Sequence, residues 1–360
     1  MKIDNLNILW LDLFDFLTYS KKIKLLECVK KGEDLRKNFL TNKDVKDILT
    51  KEEFNKMAVC LHDEFLNIRL KKYEQSNIKT ITYYDKEYPY MLKEISSPPL
   101  CLYCKGNLQL LNSFCLGVVG TRTPTAYGIV TTKQYVKELV NANVTIVSGM
   151  ASGVDTIAHK QALSENGNTI AVLAGGFNYI YPASNSALFR QLTENNLVIS
   201  EYNPEIKPQS YYFPIRNRII AGLSKGVLIT EAGEKSGALH TINYATEFNR
   251  EIFVVPGNIN SPMSKGTNSI IKSLQGSITV SPNDILATFN IENEKNKKNL
   301  GVQLDINAQI VLDYIHADKK TFQQIADFTN LSAKELNTIL IELEMSGLVI
   351  KLANNSYIMS

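Results

Sequence analysis

Long apolar runs are missing from this chain of 360 residues. No stretch reaches the roughly eighteen consecutive apolar residues of a membrane-spanning helix. Met1-Lys2-Ile3-Asp4 does not lead a basic segment into an apolar one, so no secretory signal is visible. The expected location is the cytoplasm, with no membrane partner. Cysteine is scarce and scattered: Cys28, Cys60, Cys101, Cys104 and Cys115. Only Cys101-Leu-Tyr-Cys104 has a metal-like or redox-like spacing, and no second pair follows to complete a structural zinc site. The four histidines are spread along the chain and form no ligand cluster, so no metal is expected. A GxGxxG fingerprint is absent, which argues against a nicotinamide dinucleotide site. Neither a Ser–His nor a Cys–His arrangement can be traced, and no catalytic residue is assigned.

What remains is an ordinary charged, apolar-rich composition. At 44% hydrophobic and 21% charged residues, the chain can build real cores, and its length suggests two or three domains. The net charge of +3 is weak, but it is unevenly distributed. Residues 1–79 carry 16 Lys/Arg against 13 Asp/Glu, and residues 80–289 carry 16 against 14. Residues 305–360 carry 4 against 7, so a polyanion is expected to meet the front or middle of the chain rather than its tail.

The texture divides the chain into a helical domain (1–78), an α/β domain (79–289), an Asn/Lys/Glu-rich linker (290–304) and a C-terminal domain (305–360). The first has apolar residues at helical spacing (Leu6, Leu9, Leu13; Leu25, Leu26, Val29), one glycine at Gly32 and no proline before residue 75. In the second, short apolar runs (115–119, 144–147, 169–173, 197–200, 226–230, 251–255) alternate with helical patterns (127–140, 155–164, 186–193, 240–246, 267–274). That alternation predicts an α/β fold: a Rossmann-like, doubly wound, mostly parallel sheet. Helical patterns at 308–316, 322–329 and 333–346, then β-like runs at 348–352 and 357–359 around Asn354-Asn355, predict a winged helix. Ser332 with Glu335 reads as a capping box opening its third helix.

The chemistry gathers where predicted strands end. The first strand runs into Gly120-Thr121-Arg122, a turn opening a helix, whose backbone N–H groups can face an anion. The next ends in Gly149-Met-Ala-Ser152-Gly153-Val-Asp155, where Asp155 is expected to cap a helix and His159 to serve packing or hydrogen bonding. A third loop carries Gly175-Gly176 with Tyr179 and Tyr181. Then Lys207, Tyr211, Tyr212 and Phe213 precede Arg216-Asn217-Arg218, which lead into an apolar helix start. Aromatic rings interleaved with cations suit single-stranded nucleic acid, because bases stack on rings while cations follow phosphates. Glu231, in the loop TEAGEKSGA, is expected to fix that loop through hydrogen bonds.

Seven blocks, among them VVGTRTPTAYG, SGMASGVDTIAHKQAL, FPIRNRIIAGLS and VPGNINSPMSKGTN, occur in an order that resembles the DNA-processing protein A (DprA or Smf) family over residues 83–289. The resemblance implies a recombination mediator without catalytic turnover or cofactor. Such a protein binds and protects single-stranded DNA, loads the RecA recombinase onto it in natural transformation, works alongside single-strand-binding protein and forms a homodimer. By motif position, Thr121, Arg122, Lys207, Phe213, Arg216, Asn217 and Arg218 would form the DNA site. Gly149, Ser152, Gly153, Gly175 and Gly176 would give loop contacts, and Ile270, Ile271 and Leu274 the dimer contact. A competing reading is a nucleoside-monophosphate-hydrolysing enzyme of the lysine-decarboxylase-like type, whose PGGxGTxxE loop differs from TEAGEKSGA here. The predicted third helix of the winged helix holds Lys334 against Glu335, Glu342 and Glu344, so it is expected to meet protein rather than duplex DNA.

Overall fold

The computed structural model describes residues 2–291, 305–316, 319–345, 348–352 and 356–359. The chain divides into two compact units, Met1–Asn293 and Glu294–Ser360. Most of the predicted linker, the predicted turn at Asn354-Asn355 and the end of the third winged-helix pattern at Ser346 lie outside the described residues.

The first unit begins with six helices: α1 (Ile3–Asp12), α2 (Tyr19–Glu27), α3 (Leu35–Asn38), α4 (Lys43–Ile48), α5 (Lys51–Ala58) and α6 (Asp63–Gln75). Nine strands follow: β1 (Lys79–Thr82), β2 (Cys101–Gly106), β3 (Cys115–Val119), β4 (Thr145–Ser148), β5 (Thr169–Leu173), β6 (Leu197–Ser200), β7 (Gly226–Ile229), β8 (Glu251–Val254) and β9 (Ser277–Ile278). Their order in one sheet is β1-β2-β6-β5-β4-β3-β7-β8-β9. All pairs from β6 through to β9 are parallel, whereas β2 joins β6, and β1 joins β2, antiparallel. The fold is α/β and mostly parallel, as the alternating sequence texture predicts.

The helices that cover this sheet are α7 (Tyr90–Lys93), α8 (Ala126–Asn141), α9 (Val154–Ser164), α10 (Ser186–Asn195), α11 (Tyr212–Leu223), α12 (Ala238–Glu247), α13 (Lys265–Lys272) and α14 (Pro282–Thr288). The central strands are buried along their whole length because both sheet faces are covered. Successive residues divide between the two sides. Leu116 and Val118 of β3 join Val136, Leu139 and Ala158 on the α8–α9 side, while Cys115 and Val119 join Ile219, Ile220 and Ile242 on the α11–α12 side. The N-terminal helices share a third apolar cluster with the sheet, in which Trp10, Leu25 and Phe39 are continuous with Tyr103, Leu173 and Val198. Burying such a leucine contributes roughly 1.5–3 kcal/mol. Residues 1–78 and the sheet therefore share one compact unit.

The second unit has α15 (Ile306–His316), α16 (Phe322–Thr329) and α17 (Ala333–Met345), with a small antiparallel sheet of β10 (Lys320–Thr321), β11 (Val349–Lys351) and β12 (Ser356–Met359) in the order β10-β12-β11. Val311, Ile325, Leu336, Leu340 and Tyr357 form its core. The capping box at α17 is made: Ser332 Oγ accepts from Glu335 N–H at 3.3 Å, and Glu335 Oε2 accepts from Ser332 N–H at 3.0 Å. Lys334, Glu335, Glu342 and Glu344 all lie on its exposed surface.

Candidate nucleic-acid interface

The chain winds from β3 outward through β4, β5 and β6, then returns to place β7 on the other side of β3. The carboxyl ends of β3 and β7 thus form a topological switch point, where the following loops part and leave a crevice. That crevice has a volume of about 410 Å³. Thr121, Arg122, Phe213, Arg216 and Asn217 line it, so the structure brings together five of the residues expected to bind DNA.

Helix geometry explains which arginine enters. Arg216–Arg218 were expected to precede the helix, but α11 already begins at Tyr212 and includes them. Pro214 reads as a breaker, yet in a first turn its missing N–H has no intrahelical partner to lose. Phe213, Arg216, Asn217 and Ile220 therefore share one helical face, at i, i+3, i+4 and i+7, and all four line the crevice. Arg218 is two positions from Arg216, about 200° around the axis, and faces elsewhere. It pairs with Glu201 and lines a separate cleft with Tyr19 and Tyr212.

Arg216 forms the crevice floor and is only 3% exposed. Its Nη1 donates to the carbonyl oxygens of Gly149 and Val172. Burial lowers its pKa to about 10, opposed by the nearby Asp155 carboxylate and reinforced by Arg122, so it remains cationic at neutral pH. Burial likewise raises the pKa of Asp155, with Arg216 and loop N–H groups acting the other way. Asp155 was expected to cap its helix. Instead its Oδ2 accepts from Gly149 N–H at 3.1 Å and Ala151 N–H at 3.4 Å, bracing the preceding loop, because it lies inside the first turn of α9 rather than at its N-cap.

The loop after β3 is held from beneath. Glu231 Oε2 accepts from Thr125 N–H at 2.8 Å and its Oε1 from the Thr125 hydroxyl at 2.6 Å, while its carbonyl accepts from Thr121 N–H at 2.7 Å. Glu231 was expected to fix its own loop; its carboxylate instead braces the neighbouring loop after β3. Thus supported, Arg122 is exposed at the lip with its guanidinium 5.3 Å from the Phe213 ring centre. Tyr181 meets Phe213 edge-on at 5.4 Å, and the exposed Lys207 lies 5.4 Å from the Tyr179 ring centre. Arg122, Phe213 and Tyr181 are thus contiguous, whereas Lys207 and Tyr179 do not line the crevice.

The glycines have packing roles. A Cβ on Gly149 would strike the Arg216 guanidinium, and one on Gly153 would strike the carbonyl of Thr121. Gly153 also has a positive φ of 78°, which an L side chain adopts only with strain. Gly175 lies against Pro208, and Gly176 against the backbone of Asn203 and Pro204, holding the Lys207 segment near the sheet. Ser152 is exposed beside Gly153. The expected dimer residues separate: Ile270 is buried in the core, Ile271 packs partly against it, and Leu274 is 92% exposed.

Lys235, Ser236, Gly237 and His240 also line the crevice and were not anticipated. For the first three the signal was present in TEAGEKSGA, a polar glycine loop opening α12, although the first N–H groups of that helix are spent on Ser236 and Gly237. His159 is fully buried, and its Nδ1 lies 2.7 Å from Thr169 Oγ1, in keeping with the expected packing role. Cys101 and Cys104 are buried free thiols on β2, pushed up by burial. Among the described residues, no group of three or more His, Cys, Asp or Glu side chains could hold a metal ion, and no helix is long and apolar enough to cross a membrane.

A doubly wound, mostly parallel sheet with a crevice at its switch point lined by Arg122, Phe213 and Arg216 defines a Rossmann-like protein. The chain belongs to the family of DNA recombination-mediator protein A, whose model matches residues 79–290. It is 43% identical over 204 residues to DNA processing protein DprA of Bacillus subtilis, covering 56% of this chain and 69% of that one. It is 36% identical over 276 residues to DNA processing protein DprA of Streptococcus pneumoniae, covering 76% of this chain and 94% of the relative. The X-ray structure of the S. pneumoniae protein superposes with a TM-score of 0.68 at 32% identity, over 81% of this chain and 99% of the other. A solved structure describing the single-stranded DNA binding mode of DNA processing protein A from Helicobacter pylori gives a TM-score of 0.55 at 30% identity, over 60% and 97% of the two chains.

Proposed function

We propose that this protein binds single-stranded DNA along the switch-point crevice without sequence preference, protects it and delivers it to the RecA recombinase in transformation or recombination. The observation that carries the reading is the joining of Arg122, Phe213 and the buried Arg216 in one crevice. A buried cation beneath and an exposed cation above offer phosphate contacts, while the rings of Phe213 and Tyr181 offer stacking surfaces. The described binding mode of the H. pylori relative supports the same ligand class. Lys207, with Tyr179, would extend the path along the rim. The Gly149–Gly153 and Gly175-Gly176 loops would shape the crevice walls.

Binding without turnover is the reading we favour over nucleotide hydrolysis. Glu231 spends both carboxylate oxygens on Thr125, and Asp155 spends Oδ2 on loop N–H groups. The homodimer, the hand-over to RecA past single-strand-binding protein, and the role of the acidic winged helix as a protein contact belong to the same proposal. The decisive measurement is oligo-dT affinity at two salt concentrations. Wild type should bind with a steep salt dependence, and Arg122→Ala should lose affinity and about one phosphate contact's worth of slope. Turnover of nucleoside monophosphates with oligo-dT ignored would overturn the reading. A strand-exchange assay with RecA and single-strand-binding protein tests the delivery step.

A further inference from the structure

The opposite face of α11 borders a second cleft that the phosphate crevice does not explain. It lies between the Thr18-Tyr19 start of α2, the loop Glu201–Asn203 and the side of α11 bearing Tyr212, Ile215 and Arg218. Its volume of about 370 Å³ is at the small end of the range for ligand sites. Tyr202 and Tyr212 stack at 4.1 Å between ring centres on one wall, and the exposed Tyr211 stands at the lip. Arg218 borders this cleft and is only 7% exposed. Its Nη2 donates to Glu201 Oε2, but its Nη1 has no hydrogen-bond partner, nor has Glu201 Oε1. A buried, unpaired donor beside an unpaired acceptor is costly, and this pair sits in the cleft wall with neither atom open to solvent.

We propose that this cleft receives a nucleobase of the DNA strand held in the crevice, an inference that rests on the single-stranded DNA reading above. Each DNA base carries an adjacent donor and acceptor on its pairing edge, which matches the unpaired guanidinium N–H and carboxylate oxygen once a shift of the Tyr202 side of the wall uncovers them. The match is tolerant of base identity, as a sequence-neutral binder requires. Charge excludes the backbone: Asp12, Asp15 and Glu201 outnumber Lys22 and Arg218 around the cleft, so a phosphate would be repelled. Continuity supplies the route. Ser210 lines the crevice and the next residue, Tyr211, lines the cleft, so a strand leaving the crevice over this lip meets the second opening at once.

The test compares oligo-dT with a fully abasic strand of equal length, using the full-length protein. Ile215→Trp plugs the cleft from a partly exposed position, and Arg218→Met combined with Glu201→Leu removes the hydrogen-bonding edge without leaving a lone buried charge. Each variant should bind oligo-dT about five- to tenfold more weakly, with the salt slope unchanged, and should bind the abasic strand as wild type does. Oligo-dT affinity unchanged in Ile215→Trp, or an equal loss on the abasic strand, overturns the base pocket while leaving the crevice reading intact. If wild type ignores both strands, the crevice reading falls and this inference falls with it.

Discussion

Arg216 and His159 lie within one buried electrostatic neighbourhood, and each is set by desolvation in its own way. Arg216 keeps its charge because backbone carbonyls surround it and Asp155 is near. His159 loses its charge: burial, with Arg216 adding repulsion, lowers its pKa to about 3. Between about 6.5, the ordinary value, and about 3, the unfolded chain takes up a proton that the folded chain refuses. Stability is therefore expected to fall as pH drops through that window. Asp155 works in the opposite sense, since its raised folded-state pKa favours the folded form under acid. Replacing His159→Asn should flatten the acid limb of denaturant-midpoint against pH; an unchanged profile would refute this assignment. The sequence made the quiet role of His159 legible, because no ligand cluster surrounded it. It did not separate Arg216 from Arg218, since adjacency in a string says nothing of angle until the helix is known to contain both.

At the scale of elements, the crevice depends on loops pressed together more closely than side chains allow. Gly153 is the sharpest case, with the carbonyl of Thr121 where its Cβ would be and Val154 N–H donating to that same carbonyl at 3.1 Å. Gly153→Ala should therefore destabilise the fold by roughly 1–3 kcal/mol and weaken oligo-dT binding at the same time. Thermal melts and titrations on one sample check both; a stable variant with weakened binding would point to a direct backbone contact instead. The parallel strands and their loops were legible because apolar runs alternate with helical patterns. The antiparallel extension β1–β2 was less so, because strand direction depends on pairing with β6, which no local pattern encodes. The start of α11 was placed too late because the apolar run begins only at Ile219, whereas the helix already includes residues 212–218.

For the whole molecule, one sheet edge differs from the other. The β1–β2 side shares an apolar cluster with the N-terminal helices, whereas β9 is a short edge strand. Around it Leu274, Ile278 and Val280 are exposed, at 92%, 55% and 75%. Apolar side chains gathered at a sheet edge favour an interface between copies of this chain, which is how we read the proposed homodimer. Leu274→Glu should shift sedimentation toward the monomer while leaving the fold intact; a dimer that survives it would place the interface elsewhere. The sequence pointed to this helix but credited Ile270 alongside Leu274. Burial in the core removes Ile270 from any such surface, whereas Leu274 lies beyond the end of α13 at a positive φ of 57° and is exposed.

Helix α11 forms one wall of the crevice and one wall of the cleft, so its residues are constrained in number as well as in kind. Exchange of one side chain disturbs one side. Inserting or deleting a single residue between Phe213 and Arg216 turns the rest of the helix by about 100° relative to Phe213. Either change would carry Arg216 out of the floor and Arg218 away from Glu201 together. In this segment, chain length is the more stringent part of the code.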